Sequence, residues 1–332
     1  MPTTFEPALV VDVHLGPDEA MAGLRADARH GLSERPKELS PTWFYDEAGC
    51  RLFDLITELD EYYPTRAERS ILDQQAHSIA VLSRADTFIE LGSGTSDKSR
   101  LLLDALSAAG TLERYVPFDV AEPTLRSAAE QLALDYPDLK LHGVVGDFRR
   151  HLGLLPRGGR RLLAILGGTI GNFDPAARAE LLATLSAGMV PGDTLLIGTD
   201  LVKDRTRLVQ AYDDEAGVTA AFNLNVLTRL NRELGANFDV DRFEHVAVFD
   251  EDNEWIEMRL RSLGHQVVDV PDLDLMVDFL DGETMRTEIS AKFRPERFAR
   301  ELTEAGLDQT AIWTDPAGDF ALSLSVKPEV ER

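Results

Sequence analysis

Between residues 66 and 203 the chain alternates short apolar segments with segments of helical spacing, and this alternation most restricts its possible folds. The apolar segments, which are typical of strands, are 85–94, 114–120, 141–148, 160–172 and 193–202. Segments that carry apolar residues three and four apart, which predicts helices, are 97–109, 123–136 and 175–189. Strands that are apolar almost throughout are covered on both faces. The sequence therefore predicts a doubly wound, parallel α/β sheet of the nucleotide-binding type.

The pattern changes after residue 203. It predicts helices over 204–236, a β-hairpin over 243–262 and a strand over 285–293. The chain then ends with a predicted helix and two strands, which we expect to extend the first sheet. We expect two domains, one inserted within the other: 66–203 plus 292–332, and an α+β domain of 14–65 plus 204–291.

Charge and composition exclude several classes of partner. Asp and Glu number 58 against 34 Lys and Arg, a formal charge of −24, whereas nucleic acids and anionic membranes are bound largely through basic residues. The single cysteine, Cys50, rules out an internal disulfide and a cysteine-cluster zinc site. The N-terminus does not resemble a signal peptide, and no apolar run approaches the roughly 20 residues that span a bilayer. We expect a cytoplasmic monomer that acts on a small molecule.

A glycine pair follows the first predicted strand, in Glu90-Leu-Gly92-Ser-Gly94. Glycines here permit a tight turn and a close approach of the backbone to a ligand. A dinucleotide site would need a third glycine where Asp97 stands, which disfavours an NAD-dependent dehydrogenase.

Two more carboxylates lie at the ends of the next two predicted strands. Asp119 can accept hydrogen bonds from both hydroxyls of a ribose, and Asp147 can accept one from an adenine amino group that Phe148 covers. Ligands of doubly wound sheets bind beyond the carboxyl ends of the strands. The three strand ends together predict a nucleoside cofactor.

The residues do not predict metal or serine-hydrolase chemistry. The seven histidines include no pair four residues apart, and we expect no metal. Asp250 begins a sequence like a calcium loop, but Trp255 occupies the position that needs glycine, so we expect a hairpin turn.

Several longer strings of the chain are typical of one family. They are EYYPTR (61–66), LGGTIGNF (166–173), GTDLVKD (198–204), AYDDEAGVTAAFNLNVL (211–227), TEISAKFRPE (287–296) and WTDPAGDFALSL (313–324). With these strings the chain resembles the bacterial L-histidine Nα-methyltransferases of ergothioneine biosynthesis, from about residue 41 to the last strand.

The resemblance implies a class I, Rossmann-like methyltransferase domain and a substrate-binding domain. The activity it implies is the transfer of three methyl groups from S-adenosylmethionine to the α-amino nitrogen of histidine, which gives hercynine. The cofactor residues that it implies are Tyr62, Gly92, Lys98, Asp119, Asp147 and Phe148, with Lys98 one turn into the following helix and facing the methionine carboxylate.

The resemblance also implies the substrate residues. Tyr45 would lie at the reacting amine as the catalytic residue, with the Gly167 carbonyl and Thr169 beside it and Phe53 lining the pocket. Asn172 and Tyr212 would bind the substrate carboxylate. Glu288 and Ser290 would bind the imidazole, with Met258 packed nearby.

The residues themselves leave alternatives to this interpretation. Glu288 and Ser290 are two apart on a predicted strand and share a face, so they can contact one ring, but a solvent-facing strand with a salt bridge to Lys292 fits equally. Rivals are a member of the family that methylates tryptophan or tyrosine and a non-catalytic cofactor sensor. The carboxylate of Glu288 suits imidazole better than an indole or phenol ring.

Overall fold

The computed structural model describes residues 9–96 and 98–329, apart from the side chain of Arg149. Residues 1–8, where the sequence predicts no signal peptide, and residues 97 and 330–332 lie outside this range. The chain divides into two compact units: unit 1, with residues up to 15, 66–201 and from 293, and unit 2, with residues 16–65 and 202–292. The cofactor and substrate roles expected for the two domains stay predictions.

The strands and helices of the described residues are numbered in chain order. The strands are β1 (Leu9–Val13), β2 (Lys37–Glu38), β3 (Thr87–Leu91), β4 (Arg114–Asp119), β5 (Lys140–Val145), β6 (Arg161–Ile165), β7 (Thr194–Asp200), β8 (Phe243–Asp250), β9 (Trp255–Ser262), β10 (Gln266–Val270), β11 (Leu275–Phe279), β12 (Thr284–Ala291), β13 (Asp308–Thr314) and β14 (Phe320–Val326). The helices are α1 (Pro17–Ser33), α2 (Glu47–Glu58), α3 (Pro64–Ser83), α4 (Ser99–Ala108), α5 (Glu122–Asp135), α6 (Phe148–His151), α7 (Pro175–Gly188), α8 (Arg205–Gln210), α9 (Val218–Leu234) and α10 (Pro295–Glu304). Short 3₁₀ helices cover Pro41–Phe44, Leu152–Leu154, Thr169–Asn172, Val240–Arg242 and Pro271–Leu273.

Unit 1 is built on one eight-stranded sheet of order β1-β5-β4-β3-β6-β7-β14-β13. The strands from β1 to β7 in this order are parallel, and β14 and β13 are added antiparallel. Every residue of β3, β6 and β7 is buried, as expected for strands that helices cover on both faces. The predicted doubly wound α/β class and the two added strands at the chain end are confirmed, whereas the edge strand β1 was not predicted.

The strand order determines which strand ends lie next to each other at the expected binding edge of the sheet. From β3 the chain goes outward to β4 and β5 on one side, and then returns to β6 and β7 on the other. The carboxyl ends of β3 and β6 therefore lie side by side at the point where the winding reverses. Doubly wound sheets bind their ligands at this point.

Unit 2 combines helices with a four-stranded sheet of order β2-β12-β9-β8 and a two-stranded sheet of β10 and β11. β8 and β9 form the predicted hairpin, and β9 pairs antiparallel with β12. The Asp250 carboxylate closes the hairpin by accepting from the backbone N–H groups of Asp252 and Asn253, at 2.9 and 3.0 Å. The predicted hairpin turn is confirmed. Apolar residues of α1, α9 and the strands form one core, which includes Leu24, Phe222, Leu230 and Met258.

None of the helices in the described part of the chain has the length and hydropathy of a membrane-spanning segment.

Candidate active site

The glycine loop after β3 is held against the end of β4. Gly92 and Gly94 adopt φ angles of +77° and +50°, the left-handed region that favours glycine. The Asp119 carboxylate accepts from the backbone N–H groups of Gly94 and Ala121, both at 2.9 Å. Burial raises the pKa of Asp119, and these two N–H groups oppose the rise. Asp119, which the sequence predicts to bind a ribose, thus also holds the glycine loop in place through hydrogen bonds.

A ring covers this loop from the end of β5. A Cβ atom at Gly92 would lie 3.3 Å from Cζ of Phe148, which packs against Phe118 with ring centroids 5.5 Å apart. Asp147 lies just before Phe148, two residues beyond β5, and its backbone N–H donates to Nδ1 of His151 at 3.0 Å. The ring of Phe148 thus stands beside the glycine turn, and Asp147 directly precedes it in the chain.

Lys98 lies at the N-terminal boundary of α4, immediately before its first residue. The predicted position one turn into the helix is therefore wrong, because α4 begins only at Ser99. Its ammonium forms an ion pair with Glu68, a fully buried residue of α3. Glu68 also accepts from the backbone N–H of Gly167 through both carboxylate oxygens, at 2.9 Å each.

Sequence analysis missed Glu68. The signal that could have found it is Gly198 in the middle of β7, because a glycine inside a buried strand marks a close approach by another group. A Cβ atom there would lie 2.2 Å from Oε1 of Glu68. Glu68 thus joins the expected methionine-binding cation to the loop after β6.

The loop after β6 contains three of the predicted substrate residues. Gly167 has φ of +72°, and a Cβ atom there would lie 3.4 Å from Nζ of Lys98. Thr169 and Asn172 begin and end the 3₁₀ helix that follows, and the Thr169 hydroxyl donates to the Leu166 carbonyl at 2.9 Å. Oγ1 of Thr169 is also 3.8 Å from the Cβ position of Gly92. In unit 1 the structure thus brings the predicted cofactor and amine residues to neighbouring loops.

Glu90, the acid of the glycine motif, points into the protein. Its carboxylate accepts from the hydroxyls of Ser99 and Tyr115, the latter at 2.5 Å. Burial raises the pKa of Glu90 to about 7, against the effect of these hydrogen bonds and of Lys98. Glu90 therefore has a structural role, because its hydrogen bonds join β3 to β4 and α4.

In unit 2 the predicted aromatic residues form one connected cluster. Tyr45 packs edge-on against Phe53 at 5.7 Å between ring centroids, Phe53 against Tyr62 at 6.3 Å, and Tyr62 against Tyr212 at 6.1 Å. Phe222 of α9 lies beneath Tyr45 and Phe53 at 5.8 and 5.9 Å. Tyr62, assigned to the cofactor from the sequence, belongs to this cluster.

The predicted ring-binding residues lie on β12. Glu288 is directly opposite Met258 of β9, so the two side chains share a face of the sheet. The Ser290 hydroxyl is 2.7 Å from the Tyr212 hydroxyl. Burial raises the pKa of Glu288 to about 7, and the charge of Lys292 opposes this rise.

The alternative of a solvent-facing strand is wrong. Ser290 and Lys292 are 6% and 4% exposed, and the Lys292 ammonium donates to Ser290. Ser290 and Lys292 are therefore buried together beside the aromatic cluster, and Glu288 is half-buried. Among the described residues, no group of three or more His, Cys, Asp or Glu side chains could hold a metal ion.

The chain matches a family model over residues 24–327, and that model describes a histidine-specific, S-adenosylmethionine-dependent methyltransferase. The chain belongs to this family. It is 57% identical to the histidine N-alpha-methyltransferase of Mycolicibacterium smegmatis over 314 residues, which cover 95% of this chain and 98% of the relative. The protein of the same name from Mycobacterium tuberculosis is 55% identical with the same coverage. Members of the family therefore align with this chain along nearly its whole length.

A fungal relative extends the comparison. Ergothioneine biosynthesis protein 1 of Neurospora crassa is 32% identical over 306 residues, which cover 88% of this chain and 33% of that protein. The methyltransferase sequence thus recurs as one third of a longer fungal chain.

Proposed function

We propose that this protein transfers three methyl groups in succession from S-adenosylmethionine to the α-amino nitrogen of L-histidine. The product is hercynine, and the reaction is the first step of ergothioneine biosynthesis. The observation that carries the proposal is β12, where Glu288 lies opposite Met258 and Ser290 contacts Tyr212, in a chain 57% identical to a histidine N-alpha-methyltransferase. One carboxylate and one hydroxyl match the two nitrogens of an imidazole.

The cofactor residues fit S-adenosylmethionine. Asp119 would bind the ribose and Asp147 the adenine amino group, with Phe148 over the ring and Gly92 giving room for the backbone to approach. Lys98 would bind the methionine carboxylate, held in place by Glu68. Tyr62 completes the proposed set. The bound cofactor supplies an electrophilic sulfonium methyl group.

The substrate residues would position the amine for attack on that methyl group. Asn172 and Tyr212 would bind the substrate carboxylate. Tyr45 would orient the amine as the catalytic residue, together with the Gly167 carbonyl and Thr169. Aligning the nitrogen lone pair with the methyl carbon provides much of the acceleration in such a transfer, by proximity and orientation.

The pocket must also accept a growing cation. A peptide α-amine titrates near pH 8 and is largely protonated near neutral pH, so a proton must leave before each of the three transfers. As methyl groups accumulate, the nitrogen loses hydrogen-bond donors and becomes a permanent cation. The rings of Tyr45 and Phe53 can stabilise such a cation through their faces.

The experiment is turnover by the purified protein with S-adenosylmethionine and one amino acid at a time. With histidine we expect S-adenosylhomocysteine and products heavier by one, two and three methyl groups, all on the α-nitrogen. Tryptophan and tyrosine are the matched controls, since they share the amino-acid head and differ in the ring. Turnover with tryptophan or tyrosine and none with histidine would overturn the substrate, and binding of S-adenosylhomocysteine without turnover would favour the sensor.

A further inference from the structure

Lys292 is a buried cation that directly follows β12. The proposed reaction assigns no role to it. Its ammonium lies 2.8 Å from the Ser290 hydroxyl and 3.1 Å from the Tyr212 hydroxyl, and 4.6 Å from the centroid of the Tyr212 ring. A buried ammonium is costly unless it is paired and hydrogen-bonded. Its position between two proposed substrate residues therefore calls for a reason beyond packing.

The hydrogen bonds of the cluster restrict what it can offer to a ligand. An ammonium only donates, so Lys292 occupies one lone pair on each hydroxyl oxygen. The two hydroxyls are 2.7 Å apart and share one hydrogen between them. In the substrate complex Tyr212 would donate its single hydrogen to the substrate carboxylate. Ser290 then accepts from Lys292 and keeps its own hydrogen to donate to a further group. The cation also repels any other donor that approaches the pair.

The same cation acts on Glu288. Residues 288, 290 and 292 alternate along the strand and share a face. Lys292 lowers the pKa of Glu288, which burial raises to about 7. On the paired strand β9, the residues opposite Glu288 and Ser290 are Met258 and Ile256, which carry no charge, and Tyr212 faces the cluster from beyond α8.

We propose that Lys292 determines the ring specificity of the substrate site by making Ser290 a hydrogen-bond donor and by favouring the ionised, accepting form of Glu288. The strand then takes a ring with one N–H and one lone-pair nitrogen, which is the neutral imidazole. Lys292 is a positioning residue in this scheme, since it acts through Ser290, Tyr212 and Glu288. The inference rests on the proposed function.

The first test measures the binding of histidine to the enzyme loaded with S-adenosylhomocysteine, by calorimetry, in Lys292→Met and Lys292→Gln. Lys292→Met removes the hydrogen bonds from the ammonium to Ser290 and Tyr212. Because hydrogen bonds to charged groups are strong, we expect the misplaced hydroxyls to weaken histidine binding by about 10-fold or more. Lys292→Gln keeps N–H donors without the charge and should lose less. The affinity for S-adenosylhomocysteine should stay within about 2-fold of wild type, because the site for that ligand is proposed elsewhere. Unchanged histidine affinity in both variants, or an equal loss for both ligands, would overturn the proposal.

The matched control is Thr287→Val. Thr287 lies at the β-bulge next to Glu288, where its hydroxyl donates to Asn223 at 2.7 Å rather than to the Ser290–Tyr212–Lys292 group. Its replacement should destabilise the strand without altering the preference for histidine. A loss of histidine affinity in this control as large as in Lys292→Met would make the effect of Lys292 structural.

The second test measures the pH dependence of binding with 1,2,4-triazole-3-alanine, whose ring stays neutral across the range used. Loss of affinity on the acidic side then reports on the protein rather than on the ligand. Without Lys292 the proton affinity of Glu288 rises, so we expect this loss to begin about one pH unit higher in both variants. Coincident profiles would overturn the proposal. If wild type binds neither histidine nor the triazole, the proposed function fails instead, so the two failures are distinguishable.

Discussion

At the residue scale, Glu288 should decide which ring the protein accepts. We expect Glu288→Ala to raise the KM for histidine by about 10- to 100-fold, since a buried hydrogen bond to a charged group is lost. Because the pKa of Glu288 is raised to about 7, its carboxylate is the main form above that pH and is lost as the pH falls through it. The KM of wild type should therefore rise below pH 7.

Steady-state kinetics with histidine and calorimetry with S-adenosylhomocysteine check the role of Glu288. The variant should bind S-adenosylhomocysteine like wild type. If both ligands bind equally badly to Glu288→Ala, the residue supports the strand rather than the substrate.

Replacement of Glu68 should weaken binding at the proposed cofactor site. Glu68→Gln removes the charge that pairs with Lys98 and one of the two carboxylate oxygens that accept from Gly167. We expect the affinity for S-adenosylhomocysteine to fall by about 10-fold and the free energy of unfolding by about 1–3 kcal/mol. Calorimetry and urea denaturation measure the two losses.

The control for Glu68 is Glu301→Gln. Glu301 pairs with the buried Arg178 in the same unit, through hydrogen bonds of 2.7 and 3.0 Å. Its replacement should lower the stability without changing the affinity for S-adenosylhomocysteine. The positioning role of Glu68 is contradicted if the two variants have the same affinity for this ligand.

At the element scale, the N-terminal cap of α7 shows how a local sequence signal stabilises a helix. The Asp174 carboxylate caps its N-terminus by accepting from the backbone N–H groups of Ala176 and Ala177, both at 2.9 Å. Asp174→Ala should lower the free energy of unfolding by about 1 kcal/mol in urea denaturation. Asp174→Asn keeps an acceptor and should lose only a fraction of this. Equal stability of all three proteins would mean that the cap contributes nothing.

The elements also show why some predictions succeeded. Periodicity in the sequence predicted the strands β3 to β7, β13 and β14 and the helices α4, α5, α7 and α10, and Pro175 marks a helix start by its geometry. Helix α3, which contains Glu68, was not predicted. The edge strand Leu9–Val13 was missed because it lies outside the strand–helix alternation of residues 66–203, although it is as long as β3 and β6. The same holds for β10 and β11, which pair only with each other.

At the scale of the whole molecule, the charge of −24 is informative through its distribution. A few acids are buried and form specific contacts, as Glu68 and Glu90 do. A large net charge of one sign favours solubility and disfavours polyanionic partners, but it identifies no substrate. The net charge therefore excludes classes of partner. The function is indicated instead by the contacts of individual acidic residues.

The sequence by itself determined the fold class, the glycine turn and the family, because these depend on periodicity, backbone freedom and long matching strings. The tertiary structure alone decided which side chains meet. Glu68 is 99 residues from Gly167, and Lys292 is 80 residues from Tyr212, so no local pattern announces either contact. Both are buried charges, which are stable only with partners, and those partners exist only once the chain has folded.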